Sequence, residues 1–304
     1  MSIQQIRFTV EGTGERLDKL VVARLTGISR SQVQAMIHGG LVTVDGEPVK
    51  AGVKLRGGET VSVTLPAQPD DTVEPEVIPL TVIYEDNDLA VIDKPAGMVV
   101  HPGVGNKSGT LVNAILARWP QIGAMNDADN RRGIVHRLDK DTSGLILVAK
   151  NESALAHLMN QFQDRTVDKT YIALLERAPQ TQFGRIEAPI ARDPRQRKRL
   201  AVIRDGKEAV TEFTVIDDHF RDGLALVEFR PLTGRTHQIR VHAAFIECPV
   251  VGDRVYGFRK QRVRMKRCFL HAAKLAFDHP SIGERMQFES PLPHALEDIL
   301  AKLR

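Results

Sequence analysis

The chain has 304 residues, of which 42% are hydrophobic and 26% charged, and its formal net charge is +4. Such a composition can build a core, and it excludes a disordered, collagen-like or low-complexity chain. No apolar run approaches the roughly 20 residues of a membrane helix, and the length suits two domains.

The opening MSIQQIRFTV has no basic segment followed by an apolar one, so no secretory leader is read and a cytoplasmic location is expected. Residues 1–66 are predicted to form a small α+β unit. Leu17, Leu20, Val21 and Leu25 share one helical face. Ser29 and Gln32 have capping-box spacing ahead of a second helix striped by Val33, Met36 and Ile37, which Gly39-Gly40 ends. Asp45-Gly46 between apolar runs predicts a hairpin, and Val61, Val63 and Leu65 alternate as in a half-buried strand. Residues 67–79, rich in proline and acids, are predicted to be an extended, exposed linker ahead of a second domain over 80–304.

From residue 80 the pattern is strand-rich. VIYED and LAVIDK flank a predicted turn at Asn87-Asp88. The stretch 133–150 reads as strand, polar loop, then the strand LILVAK. Asn151 caps a predicted helix with the stripe Leu155, Leu158, Met159 and Phe162. KTYIALLE reads as a strand, AVTEFTVID and LALVEFR as a strand pair around Arg221-Asp222-Gly223, and His237 to Phe245 as a helix. The βαβ alternation of a Rossmann fold is missing, so the expected class is α+β with a mixed, largely antiparallel sheet and peripheral helices.

Charge is unevenly placed. Between residues 192 and 207 lie Arg192, Arg195, Arg197, Lys198, Arg199, Arg204 and Lys207 against two acids, and six of the nine residues 259–267 are basic. Two such clusters in a chain of modest net charge point to a polyanion, here nucleic acid, ahead of a merely solvated loop. Cys248 and Cys268 form no metal-pair or disulfide pattern and read as buried apolar residues. The glycine-rich stretch 103–109 lacks the G-K-[ST] ending of a phosphate loop, and the ten histidines fall in no zinc-ligand spacing, so neither nucleotide nor metal is expected.

The densest polar segment runs from Gly133 to Gly144, where His136, Arg137, Asp139, Lys140 and Asp141 lie between apolar strands. A carboxylate among cations on an apolar scaffold suits a catalytic loop. Thr233 to His242 and Lys169-Thr170-Tyr171 are two further polar islands. Taken alone, Asp139 reads equally as an exposed loop acid, Arg240 as a helix-surface cation and Tyr171 as core.

Together these segments resemble a family. HRLDKDTSGLILVAK is similar to the catalytic signature of the pseudouridine synthases that modify ribosomal RNA, and KTYIAL, TGRTHQIRVH, VVGDRVYG and LHAAKLAFDHP follow in the same order. RLDKLV…ISRSQVQAMIHGGLVTVDGEPV resembles the small αL RNA-binding domain, and VVHPGVGNKSGTLVNAIL resembles the D-type large-subunit enzymes. The resemblance implies the pseudouridine synthase fold and an isomerase that cleaves the uracil N1–C1′ bond, turns the base and rejoins it through C5. No cofactor is implied. The implied partner is large-subunit ribosomal RNA or an assembling ribosomal particle, without membrane, for a chain expected to be monomeric.

By this resemblance Asp139 is the catalytic carboxylate, acting at C1′ as nucleophile or at C2′ as base. Arg240 pairs with it, Arg235 being the second candidate, and Tyr171 stacks on the base. The target nucleotide must flip out of its stack, and Arg137 fills the vacated space. His136 supports the loop and Ile239 walls the base pocket. Arg195, Arg197, Lys198, Arg199, Arg262, Arg264 and Lys266 are candidate phosphate contacts, as are Arg16 and Arg30 in the N-terminal unit. Three other readings compete: an RNA-binding or ribosome-assembly protein without activity, a glycosylase or nucleoside hydrolase, and a metal-dependent nuclease that would need an acidic cluster.

Overall fold

The computed structural model describes residues 4–25, 28, 30–65, 73–103, 105–125, 131–196 and 199–304. The chain divides into two compact units, Met1–Thr72 and Val73–Arg304. In the first, β1 (Gln4–Thr9), α1 (Leu17–Arg24), α2 (Arg30–His38), β2 (Val42–Val44), β3 (Glu47–Pro48) and β4 (Thr60–Leu65) follow one another. The strands form an antiparallel sheet in the order β1-β4-β2-β3. Asp45 and Gly46 both take positive φ between β2 and β3, as the tightest hairpin turns require. Leu17, Val21 and Leu25 meet Val33, Ile37, Val61 and Val63 in one apolar core, with Leu20 only partly buried against it. The predicted cap Ser29 lies outside the described residues.

The second unit contains β5 (Thr81–Glu85), β6 (Leu89–Lys94), α3 (Leu111–Arg118), β7 (Ser143–Ala149), α4 (Glu152–Gln163), β8 (Asp168–Leu175), β9 (Phe183–Glu187), β10 (Ile190–Arg192), β11 (Leu200–Val202), β12 (Val210–Asp217), β13 (Ala225–Pro231), α5 (Gln238–Phe245), β14 (Leu270–Asp278), β15 (Arg285–Glu289) and α6 (His294–Leu303). Its main sheet runs β5-β6-β7-β14-β8-β13-β12-β9, with β15 on β14. Among the described residues only β7 and β14 pair in parallel; the other pairings of this sheet are antiparallel. Strands β10 and β11 make a separate hairpin. Asn151 caps α4 by accepting from the Ala154 N–H at 2.9 Å. The helices α3 and α6 were not expected. Thr110 caps α3 with Asn113 where the usual box has Glu or Gln.

Of the acidic stretch, residues 73–79 carry neither helix nor strand and are hydrogen-bonded to α3: Asn113 Nδ2 donates to Glu74 O at 2.7 Å and Glu76 N–H to Asn113 O at 2.9 Å. Residues 66–72 lie outside the described residues.

One local expectation is corrected. No strand precedes the polar loop; Ile134 makes a single bridge to Val148, and the Ala149 N–H donates to Gly133 O at 2.9 Å. Arg132 and Gly133 both take positive φ, which turns the chain out of any ladder. A Cβ on Gly133 would lie 2.3 Å from Ala149 O, and one on Gly144 2.2 Å from Ala272 O. Both ends of the loop are thus pressed against neighbouring backbone where only glycine fits.

Candidate active site

Between those two glycines the burial alternates. Val135 and Leu138 sink into the core at 7% and 4% exposure, while Arg137 is exposed and Asp139 partly so. Leu138 therefore anchors the loop, and its neighbours Arg137 and Asp139 share the outward side. The loop is tied down further. The Thr142 N–H donates to Asp139 O at 3.1 Å and the Gly97 N–H to Lys140 O at 2.7 Å. The fully buried Lys94 ammonium donates to Pro95 O and Met98 O at 2.9 Å each and to Lys140 O at 3.3 Å. Burial pushes that amine down to about 8, with the Asp139 charge opposing. Arg267 Nη1 donates to Asp141 O at 3.0 Å.

Asp139 meets Arg240 from the first turn of α5. Arg240 Nη1 donates to Asp139 Oδ2 at 3.0 Å. The rest of that guanidinium is locked by Asp253, with Nε to Oδ2 at 2.7 Å and Nη2 to Oδ1 at 3.0 Å. Asp253 is itself buried and accepts the N–H groups of Val255 and Tyr256 at 2.8 and 3.0 Å. Burial works against both charges, but the hydrogen bonds between them prevail, so Arg240 is held above and Asp253 below its ordinary value. The result is a fixed cation with one N–H pointed at Asp139.

A cleft of about 750 Å³ opens here, and Asp139, Tyr171, Arg240, Arg137, His136, Ile239 and Arg235 all line it. Tyr171 enters from β8, opposite Phe229 on one neighbouring strand and Ala272 on the other. Burial, then the Asp139 charge, pushes its hydroxyl above the usual tyrosine value, so it stays protonated. His136 stacks on Phe162 with centroids 4.8 Å apart, and its Nε2 accepts the Leu147 N–H at 2.9 Å. That acceptor role puts its proton on Nδ1. Burial, then the Lys169 charge, pushes the ring down to about 3, so His136 is a neutral brace. Ile239 is 6% exposed on α5. Arg235 is not the partner of Asp139: its Nε donates to Glu208 O at 2.8 Å, in the segment just ahead of β12.

Among the described residues, Arg199 and Arg267 link the basic clusters to the surroundings of this site. Arg199 lies over the Tyr256 ring at 5.3 Å, and Arg267 holds the Asp139 loop. Arg195, Arg264 and Lys266 are exposed. Arg262 is exposed too, but its guanidinium bonds Asp222 O. Arg197 and Lys198 lie outside the described residues. In the first unit, Arg16 and Arg30 both grip the buried Asp18, through 3.0 Å from Arg16 Nε and 2.8 Å from Arg30 Nη2, and keep 42% and 51% of their side chains exposed.

A family profile described as RNA pseudouridylate synthase matches residues 88–245, and an S4 domain profile matches residues 15–61. The chain is 44% identical over 294 residues to the "Uncharacterized RNA pseudouridine synthase YlyB" of Bacillus subtilis, covering 97% of this chain and 96% of that protein. It is 41% identical over 315 residues to the "Ribosomal large subunit pseudouridine synthase D" of Xanthomonas campestris, covering 100% and 93%. Among solved structures, "Human RNA Pseudouridylate Synthase Domain Containing 1" superposes with a TM-score of 0.59 at 27% identity, covering 75% of this chain and 96% of that one. The chain belongs to the RNA pseudouridine synthase family. It is an isomerase of RNA uridines with an RNA-binding S4 domain ahead of its catalytic part.

The sequence assigned no role to Asp253, His237, Tyr256, Lys94 or Lys169, although Lys169 and His237 lie in its polar islands and Asp253 and Tyr256 in VVGDRVYG. Two carried a further signal. Lys94 ends the apolar run LAVIDK and Asp253 follows Val250-Val251-Gly252, and a charge on a buried segment needs a partner. Lys169 stands two residues before Tyr171 on β8 and lines the same cleft. Among the described residues, one group of histidine and acids is close enough to share a cation, Asp86, Asp88 and His279. It does not line the cleft, and its members bond each other and Asn151, with His279 Nε2 to Asp86 Oδ2 at 2.8 Å and Asn151 Nδ2 to Asp88 Oδ1 at 2.8 Å. No described helix is long and apolar enough to cross a membrane.

Proposed function

We propose that this synthase isomerises uridines of large-subunit ribosomal RNA and that Asp139 is the carboxylate that acts on the ribose. One observation carries the assignment. Asp139 has one oxygen on a rigidly held arginine and 23% of its side chain open to the cleft. Nucleophilic attack at C1′ and proton removal at C2′ both need an ionised carboxylate with a free lone pair, and this geometry supports either. Tyr171 stacks on the flipped uracil, Ile239 walls the pocket, and the exposed Arg137, on the same side as Asp139, fills the gap left in the RNA stack. Arg195, Arg199, Arg264 and Lys266 take phosphates, which gives affinity without sequence choice. The large-subunit substrate is supported by the name of the Xanthomonas relative, which matches this chain along its full length.

The test is tritium release from RNA labelled at uracil C5, since a C5–C1′ bond must expel that hydrogen. Wild type is expected to release tritium from large-subunit RNA without free uracil, and Asp139→Asn to bind the same RNA and release none. Turnover by Asp139→Asn would sink the assignment. Free uracil would mean a glycosylase, and release from small-subunit RNA alone would overturn the substrate.

A further inference from the structure

Tyr256 and His237 form a path from the β10–β11 hairpin toward Asp139, hydrogen-bonded as far as the His237 ring. The Leu200 N–H, at the start of β11, donates to Tyr256 Oη at 3.1 Å. With that lone pair taken, the phenol has its own proton to give, and His237 Nδ1 lies 2.9 Å away. Nδ1 as acceptor leaves the ring proton on Nε2, and Nε2 faces Asp139 Oδ1 at 3.8 Å. Burial, only partly offset by the Asp139 charge, holds His237 below the usual imidazole value, which keeps the ring neutral. Tyr256 is 7% exposed and lies under the Arg240 guanidinium, 5.1 Å from its ring centre. The same ring carries Arg199, at the end of the hairpin loop.

His237 also pays a conformational cost for this place. It takes φ 55 and ψ 19, a left-handed conformation, directly ahead of α5. Glycine and asparagine adopt it most readily, so the backbone alone does not call for histidine, and it is the contacts of the side chain that argue for a task.

We propose that His237 is a positioning residue for Asp139. Its Nε2–H holds Oδ1 while Arg240 holds Oδ2, and Tyr256 fixes the imidazole tautomer from a hairpin that meets the RNA. The inference rests on the reading of Asp139 given above. At 3.8 Å the contact is longer than a hydrogen bond in the free enzyme, and it closes when substrate fills the cleft. With both oxygens held, the carboxylate has one orientation toward the ribose, and a segment that grips RNA phosphates is wired to it.

The experiment measures single-turnover tritium release at saturating RNA, RNA affinity and melting temperature for the full-length protein. Gln places its amide nitrogen where Nε2 stood, so His237→Gln keeps the donor to Asp139 and is expected within threefold of the wild-type rate. Asn suits the left-handed backbone better but cannot reach, so His237→Asn is expected to lose about tenfold. Tyr256→Phe is also expected to lose about tenfold, and the double variant His237→Asn with Tyr256→Phe no more than either alone, since both act through one path. Affinities are expected to stay within twofold. Asn matching or beating Gln would show a backbone role and overturn the proposal, as would losses confined to affinity or losses that multiply in the double variant. Asp139→Asn is run beside them. If it is inactive while His237 and Tyr256 variants match wild type, this inference alone falls; if it is active, the reading of Asp139 falls first.

Discussion

Each unit of the protein sets an aspartate among arginines, and the two clusters are built differently. In the first unit Asp18 has no exposed surface and accepts, from the described residues, five hydrogen bonds, two from Arg16, two from Arg30 and one from Gln34. In the second, Asp139 accepts one side-chain hydrogen bond from the described residues, that of Arg240, and keeps 23% of its side chain exposed. The saturation there has moved one residue outward, to Asp253, which binds Arg240 at two points and is closed to solvent. A carboxylate closed to solvent under five donors can only hold structure. One with unfilled acceptor positions facing a cleft, beside a guanidinium that cannot turn away, can do chemistry. A count of nearby charges does not separate the two, whereas the number of unfilled acceptor positions does.

The comparison can be broken most sharply by neutralising each acid in turn. Asp139→Asn is expected to cut turnover at least about a thousandfold with the melting temperature unchanged. Asp18→Asn is expected to leave the saturating rate within threefold. Tritium release and calorimetry on the same preparations decide it. Next in size is Arg240→Lys. An ammonium cannot reach Asp253 at two points and Asp139 at a third, so the single-turnover rate is expected to fall roughly 30- to 100-fold with little change in KM.

The Asp18 cluster has a smaller, thermodynamic signature. Removing its charge leaves Arg16 and Arg30 facing a weak acceptor, at a cost of roughly 1–3 kcal/mol to the first unit, read by urea unfolding. Hydrogen bonds from Arg16 and then Arg30 hold the Asp18 carboxyl below the usual carboxylate range. Its stabilisation is therefore complete above about pH 4 and is lost as the pH falls through the lower folded value. Unfolding from pH 5 to pH 2 is expected to show that loss in wild type and a flatter curve in Asp18→Asn. The smallest effect belongs to the exposed cations: Arg195→Ala is expected to weaken RNA binding a few-fold and to reduce the salt slope by about one. An unchanged slope would mean that this arginine meets no phosphate.

The parts legible in the sequence were those whose signal is local. The β12–β13 pair reads from two apolar runs about a turn, α4 from its cap and stripe, and Asp139 from a crowd of charges between apolar strands. Asp253, Tyr256 and His237 belong to the site through contacts that close only when distant segments meet. Arg240 and Asp139 are 101 positions apart, and nothing near Arg240 announces that Asp253 will take two of its three nitrogens. Arg235 was the plausible error. It lies as near to the motif as Arg240 does, but the turn into α5 points its guanidinium at Glu208 O instead. Arg16 and Arg30 show the same limit from the other side, because the acid that captures them lies within the helix that they flank.

The placement of β14 has a consequence for how the protein is made. This strand is drawn from residues 270–278, yet it lies mid-sheet, between β7 and β8. Without it, the strands β5–β7 that carry the Asp139 loop share no ladder with β8, which carries Tyr171. A ribosome synthesising this chain must therefore release residues 270–278 before the two halves can close on each other. The earlier strands wait meanwhile with two central edges unpaired. The site formed by the Asp139 loop and Tyr171 thus closes only after residues 270–278 have been made.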